Sequence, residues 1–353
     1  MNKPVVAPQG RPIVLQRAGI TVTRVGVNLG AEISGVDLRQ PLSDEAFKTI
    51  DDALVENELI IFRDQEISSE DLIQFGRRFG ELTVHPFSPH DENAPVLIKF
   101  RNDETNAPFG TDVWHSDETF RAEPPMATVL CAKELPAIGG DTMFVSMSAA
   151  FDGLSVRMQD FISGLEAIHD LKPFRALFGD SEEDRRNLQQ YEFMYPPRVH
   201  PVVRIHPVSG RKVLFVNPQF TIAIQDMDER ESRLLLDTLF HQALIPEYQF
   251  RHHWAPHTIA MWDNRSTQHY AVNDYYPQRR YMERVTIGGG PVTGVERADP
   301  ASVRKAKYLV PESAGRHGGH KPHGPIHKAA DAVKTQSDAR SDYSGQPTND
   351  TRP

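Results

Sequence analysis

Short apolar runs separated by turn-forming residues set the character of this chain. Leu59–Phe62, Val96–Ile98, Ala127–Leu130, His200–Ile205, Val213–Val216, Ile259–Trp262 and Tyr281–Val285 have the length and composition of strands, and Pro207–Gly210 reads as a turn joining two of them. Helical periodicity interrupts the pattern. Ser43 is placed to cap a helix over Asp44–Glu56 whose Ala46, Phe47, Ile50 and Leu54 share an apolar face. Ser68 with Asp71 can cap a second reaching Phe79, and Asp228 with Glu231 starts a third reaching Leu244. A mainly β chain with inserted helices predicts a jelly roll braced on its outside. No repeat of solenoid period is present.

From about Asp299 the character changes. The tract Arg316–His327 is rich in His, Gly and Pro, and the end beyond it is polar, so too few apolar residues remain to offset the entropy of ordering. The expected organisation is an N-terminal extension over 1–13, a globular domain over 14–298 and a disordered tail over 299–353, whose histidines read as a linker or an adventitious metal binder. With 353 residues, 39% of them hydrophobic, and a net charge of -9, the chain can build a large core and offers no generic nucleic-acid surface. The single cysteine, Cys131, excludes an internal disulfide and reads as a buried structural thiol. Neither a secretory signal nor an apolar stretch of membrane-spanning length is present, so a cytoplasmic protein without a membrane partner is expected.

Candidate chemistry begins with Thr111–Phe120. On an extended strand His115 and Asp117 point the same way, while Ser116 points elsewhere. In a chain with 15 histidines and 48 acidic residues such a pair means little without partners. His269, in the segment Thr258–Tyr270 where an apolar run turns polar, is the candidate third ligand. Two histidines and one carboxylate on one face of a metal leave the opposite positions open, which is how non-heme Fe(II) is held for oxygen chemistry. The same donors also serve Zn(II) in hydrolases, so that reading stays open. Further on, the alternation in Pro277–Thr286 puts Arg280, Met282, Arg284 and Thr286 on one face and Arg279, Tyr281, Glu283 and Val285 on the other. If the first face is internal, its two guanidinium groups require anionic partners.

These residues resemble the iron(II) and 2-oxoglutarate-dependent dioxygenases of the taurine dioxygenase group, which includes alkylsulfatase and phenoxyacid dioxygenases. The landmarks Gly30–Leu38, Trp114–Asp117, Gly139–Thr142, Trp262–Arg265, Gln268–Tyr270 and Pro277–Arg280 occur in family order over nearly the whole globular part. The resemblance implies a double-stranded β-helix with Fe(II) in its mouth on His115, Asp117 and His269. It also implies that Arg280 and Thr142 hold the distal carboxylate of 2-oxoglutarate, although Thr142 read alone is a strand residue after a Gly-Gly turn. A planar guanidinium grips a carboxylate in a way lysine cannot reproduce.

O2 is then the second co-substrate, and succinate and CO2 are co-products of hydroxylating a small anionic organic substrate. His85, Phe220 and Arg284 match residues that face that substrate in taurine-like members. Where those members carry a tyrosine, an asparagine and a small polar residue, this chain has Ser88, Thr111 and Phe174. Taurine is therefore one candidate beside bulkier sulfonates and alkyl sulfate esters, released as sulfite and aldehyde or by C–O cleavage. A carboxylate-anchored hydroxylase or an ether-cleaving enzyme is the alternative, and a non-catalytic jelly-roll binding protein is the reading from a different class. Family members are commonly dimers or tetramers, so a homo-oligomer is expected.

Overall fold

The run Leu59-Ile-Ile-Phe62 lacks polar alternation because, in the computed structural model, both of its faces are covered. Ile60 and Phe62 pack with Ile50, Leu54, Leu72 and Phe75 of two outer helices. Leu59 and Ile61 face inward, toward Phe144 and Trp262. Burying each such side chain contributes about 1.5–3 kcal/mol, so this two-sided cover is what orders the strand. The structure describes residues 13–88, 91–108 and 110–296. The predicted extension, apart from Ile13, and the predicted tail with its His/Gly/Pro tract lie outside the described residues.

The chain opens with β1 (Val14–Arg17), β2 (Ile20–Arg24), β3 (Ala31–Ser34), α1 (Asp44–Asn57), β4 (Leu59–Phe62) and α2 (Ser69–Arg77). Next come β5 (Ile98–Asn102), β6 (Ala127–Glu134), β7 (Thr142–Ser146), α3 (Met147–Gly153), α4 (Val156–Ile162), β8 (Glu166–His169) and α5 (Glu182–Met194). The remainder is β9 (Arg198–Pro201), β10 (Val203–Ile205), β11 (Lys212–Leu214), β12 (Thr221–Ile224), α6 (Glu229–Phe240), β13 (Gln249–His252), β14 (Ile259–Asp263), β15 (Thr267–Ala271) and β16 (Arg280–Ile287).

An eight-stranded sheet in the order β1-β2-β3-β4-β14-β6-β16-β5 carries α1 and α2 on its outer face. Its inner face looks toward the sheet β13-β7-β15, and Phe144 of β7 meets Trp262 of β14 at 5.3 Å between ring centres. Two smaller sheets, β12-β8-β9 and β10-β11, extend the body. The fold is a jelly roll with helices outside, as the sequence predicts.

Several boundaries move for identifiable reasons. Ser43 and Ser68 cap α1 and α2, the latter through a reciprocal capping box with Asp71. The second helix stops at Arg77, because the amides of Arg78 and Phe79 turn to carbonyls three residues back. Similarly, α6 ends at Phe240 and tightens into a 3-10 turn over His241–Leu244. The strand expected at Val96–Ile98 starts at Ile98, since Leu97 closes a turn onto Ala94. His200–Ile205 divides at Val202, its halves pairing with different strands, β8 and β11. Helices α3, α4 and α5 escape sequence reading: two span only seven residues, and α5 buries none of its side chains.

Candidate active site

His115 sits directly opposite His269. The amide of His115 donates to the carbonyl of His269 at 3.1 Å, and the amide of His269 returns the bond at 2.8 Å. This bridge to β15 brings the two rings to 4.1 Å between centres. Two residues later Asp117 turns its Oδ1 to 3.9 Å from Nε2 of each histidine, so three donor atoms lie within 4.8 Å of one another. Ser116 points away and donates to the carbonyl of Thr267 at 2.6 Å.

The donor chemistry fits a divalent metal. Nδ1 of His115 donates to the carbonyl of Val113 at 2.7 Å, which leaves the Nε2 lone pair free. The His269 ring is oriented by packing instead, 4.7 Å from Trp262 and 6.2 Å from Phe144, and its buried Nδ1 has no partner among the described residues. Burial holds both imidazoles below their ordinary pKa and therefore neutral. Burial opposes ionisation of Asp117 as well, but the Arg284 guanidinium foremost, with the Thr128 hydroxyl, keeps the carboxyl well below the usual carboxylate range.

On the wall of the same cavity stands Arg280, the first residue of β16, with 8% exposure. Its Nε is buried without a partner, and among the described residues no carboxylate forms an ion pair with it. Burial pushes this guanidinium below its ordinary pKa, with Tyr275 partly compensating. An internal guanidinium without a carboxylate partner is suited to an anion. Arg279, by contrast, is exposed and stands 3.7 Å from Glu134 on the surface. Beside the cavity Thr142 accepts a hydrogen bond from the Trp254 indole at 3.0 Å, so its own hydroxyl proton remains available to donate.

All the sequence-predicted site residues line one cavity of about 260 Å³: His85, His115, Asp117, Thr142, Phe220, His269, Arg280 and Arg284. Ser88, Thr111 and Phe174 line it too. The expectation that both strand arginines await small anions holds less simply for Arg284. Its Nη2 lies 3.0 Å from Asp117 Oδ1, in Coulombic contact though without hydrogen-bond alignment, while Nε donates to Thr286 at 3.1 Å. His85 Nδ1 accepts backbone amides of Phe87 and Ser88 at 3.2 and 3.0 Å, which puts the ring proton on Nε2. Burial, then Arg284, lowers its pKa to about 3. Phe220 stands edge-on to His115 at 6.3 Å and continues into an aromatic wall with Phe87, Phe120 and Phe174.

Sequence reasoning missed some of the lining. Glu118 is buried in the cavity wall, one oxygen 2.5 Å from Arg121 and the other without a partner among the described residues; its three-residue spacing from Arg121 was the available signal. Phe87 and Leu177 form part of the apolar wall and carried no signal beyond hydrophobicity.

A jelly roll with two histidines and an aspartate converging on one point has the donor set of the facial-triad class of non-heme Fe(II) oxygenases. The family model described as taurine catabolism dioxygenase TauD, TfdA family matches residues 21–286, and the chain belongs to that family. It is 34% identical over 283 residues to the "Alpha-ketoglutarate-dependent sulfonate dioxygenase" of Saccharomyces cerevisiae, covering 76% of this chain but 66% of that relative's length. An "Alkylsulfatase" of Acinetobacter baylyi is 30% identical over 276 residues, 75% of this chain and 84% of the relative. Among solved structures, a putative alpha-ketoglutarate-dependent taurine dioxygenase from Burkholderia xenovorans superposes with a TM-score of 0.68 at 32% identity, over 78% of this chain and 94% of that one.

Proposed function

We propose that residues 14–298 form an Fe(II)- and 2-oxoglutarate-dependent dioxygenase that hydroxylates a small anionic organic substrate, a sulfonate or an alkyl sulfate ester. The observation that carries this reading is the convergence of His115, Asp117 and His269 within 4.8 Å, in the cavity that also holds Arg280, whose buried Nε has no partner among the described residues. His115, Asp117 and His269 would hold the metal, and Arg280 with Thr142 the distal carboxylate of 2-oxoglutarate. When bound, the ferrous ion and its co-substrate supply oxygen activation, with succinate and CO2 as co-products.

The chain's own work is positioning. Thr142, its oxygen engaged by Trp254, presents its proton, and Arg280 presents parallel donors, so a carboxylate is gripped from two directions. Arg284 and the Nε2–H of His85 supply a cation and a neutral donor for the substrate's anionic head. The aromatic wall around Phe220 excludes water from the reacting carbon and favours a hydrocarbon body. A carboxylate-headed substrate is the second reading, since a guanidinium grips that anion equally well.

With Fe(II) and 2-oxoglutarate supplied, succinate formation across a panel of sulfonates, alkyl sulfates and carboxylates tests the proposal. Coupled turnover with release of sulfite from a sulfonate, or of sulfate from an ester, is expected. Succinate coupled to carboxylates alone would replace the substrate class, and no succinate above background on any member would remove the enzymatic reading. The single cysteine, buried as Cys131 with its thiol pushed up to about 11 by burial, suits a reducing cytoplasm. A homo-oligomer is the assembly we expect.

A further inference from the structure

The motif Trp262-Asp-Asn-Arg265 contributes no ligand, yet it touches the metal site through a chain of hydrogen bonds whose direction is forced at every step. The indole Nε1–H of Trp262 can only donate, and it meets Asn264 Oδ1 at 2.9 Å. That contact fixes which end of the amide is oxygen. The amide nitrogen of Asn264 can then only donate, and it meets Thr128 Oγ1 at 2.9 Å. With that lone pair engaged by a donor, the Thr128 hydroxyl proton must point elsewhere, and Asp117 Oδ2 lies 2.7 Å away. Trp262, Asn264, Thr128 and Asp117 are all buried, so water does not compete for these bonds.

From this the geometry points to Thr128 and Asn264 as positioning residues that reserve Oδ2 of Asp117, so that the carboxylate offers the metal Oδ1 alone. The inference rests on the proposed ligand set. Oδ1 is the oxygen that stands 3.9 Å from both histidine Nε2 atoms, while Oδ2 is turned to the threonine. A carboxylate free to swing could bind through both oxygens and fill a coordination position that the proposed reaction needs open. The end of β14 and the turn after it serve two ligands. Asn264 reaches Asp117 through Thr128, and Trp262 packs its ring 4.7 Å from His269. Thr128 and Trp262 are register partners across β6 and β14, so the sheet fixes two members of the relay, between which the turn residue Asn264 reaches.

Co(II) titration of the apo-protein, read by visible d–d absorption with Tm as a check on folding, tests this directly. Thr128→Val keeps the β-branched shape and removes the hydroxyl. It should bind Co(II) about tenfold or more weakly and shift the band toward higher coordination number, and Thr128→Ser should restore both. A folded Thr128→Val protein with the wild-type dissociation constant and spectrum would reduce Thr128 to packing and overturn the proposal. Should that variant not fold, Asn264→Ala withdraws the donor that aims the hydroxyl; it should show the same loss, and unchanged binding there overturns the proposal as well. Asp117→Ala separates the two levels. If it binds Co(II) like the wild type, the ligand set itself fails and the relay with it.

Discussion

Arg279 and Arg280 are adjacent and chemically identical, yet one faces solvent and the other stands buried and unpaired in the cavity. Their difference yields a clean test. Arg280→Lys should raise the 2-oxoglutarate requirement by about tenfold or more, since losing one charge-assisted hydrogen bond costs roughly 1.5–3 kcal/mol, whereas Arg279→Lys should leave it unchanged. The reverse order in a co-substrate titration would exchange their roles. Arg284→Ala should impair the primary substrate far more than 2-oxoglutarate; equal impairment of the two KM values would contradict the division between them. At this scale His115 and Asp117 were legible from their spacing, but not for the reason expected: the segment is no strand, His115 making one isolated bridge to His269 and Asp117 opening a turn, so strand alternation separates only Arg280 from Arg279. Thr128 was not legible: a threonine inside an apolar run is ordinary strand composition, and only the hydrogen bond to Asp117 distinguishes it.

Between β6 and β7 the Gly139-Gly140 turn does more than reverse the chain. Gly140 has φ of +73°, and a Cβ there would stand 3.2 Å from Cδ and Nε of Arg280. Gly140→Ala should therefore lower stability by about 1–3 kcal/mol through the strained backbone and also weaken 2-oxoglutarate binding by crowding the guanidinium. Loss of Tm with unaltered co-substrate affinity would show that the turn does not shape the anion site. Among the elements, β4 and β14 could be read from their apolar runs because burial on both faces leaves a continuous signal, and β16 from its period-two alternation. The strand β15 could not: Thr267–Ala271 reads as polar, and Thr267, Gln268 and His269 are buried because they face hydrogen-bonding partners and the cavity rather than an apolar core. Likewise α5 gives no amphipathic signal, since it buries nothing.

Over the whole molecule the buried neutral histidines set a direction for acid stability. His252 is fully buried against Trp254, 4.5 Å between ring centres, with neither nitrogen hydrogen-bonded among the described residues. Burial, then Arg63, brings its pKa to about 3, as burial does for His85. Both folded values lie below the unfolded value of about 6.5, so the unfolded chain takes up protons that the folded one refuses. The stability these groups contribute is fully present above about pH 6.5 and is lost as pH falls toward 3. His252→Phe, which keeps an aromatic ring in the pocket, should flatten the fall in Tm between about pH 6.5 and 4; an equally steep fall would assign acid lability elsewhere. The jelly roll itself was readable from many short strands with helices between them, and the order of motifs along the chain carried the family.

The most direct measurement of the central claim is the visible spectrum on anaerobic addition of Fe(II) and 2-oxoglutarate. A weak metal-to-ligand charge-transfer band should appear in the wild-type protein and be absent from folded Asp117→Ala and His269→Ala variants. A wild-type protein that folds yet gives no band, or variants that give it undiminished, would contradict the assignment of His115, Asp117 and His269 as the ligands of a 2-oxoglutarate-binding iron.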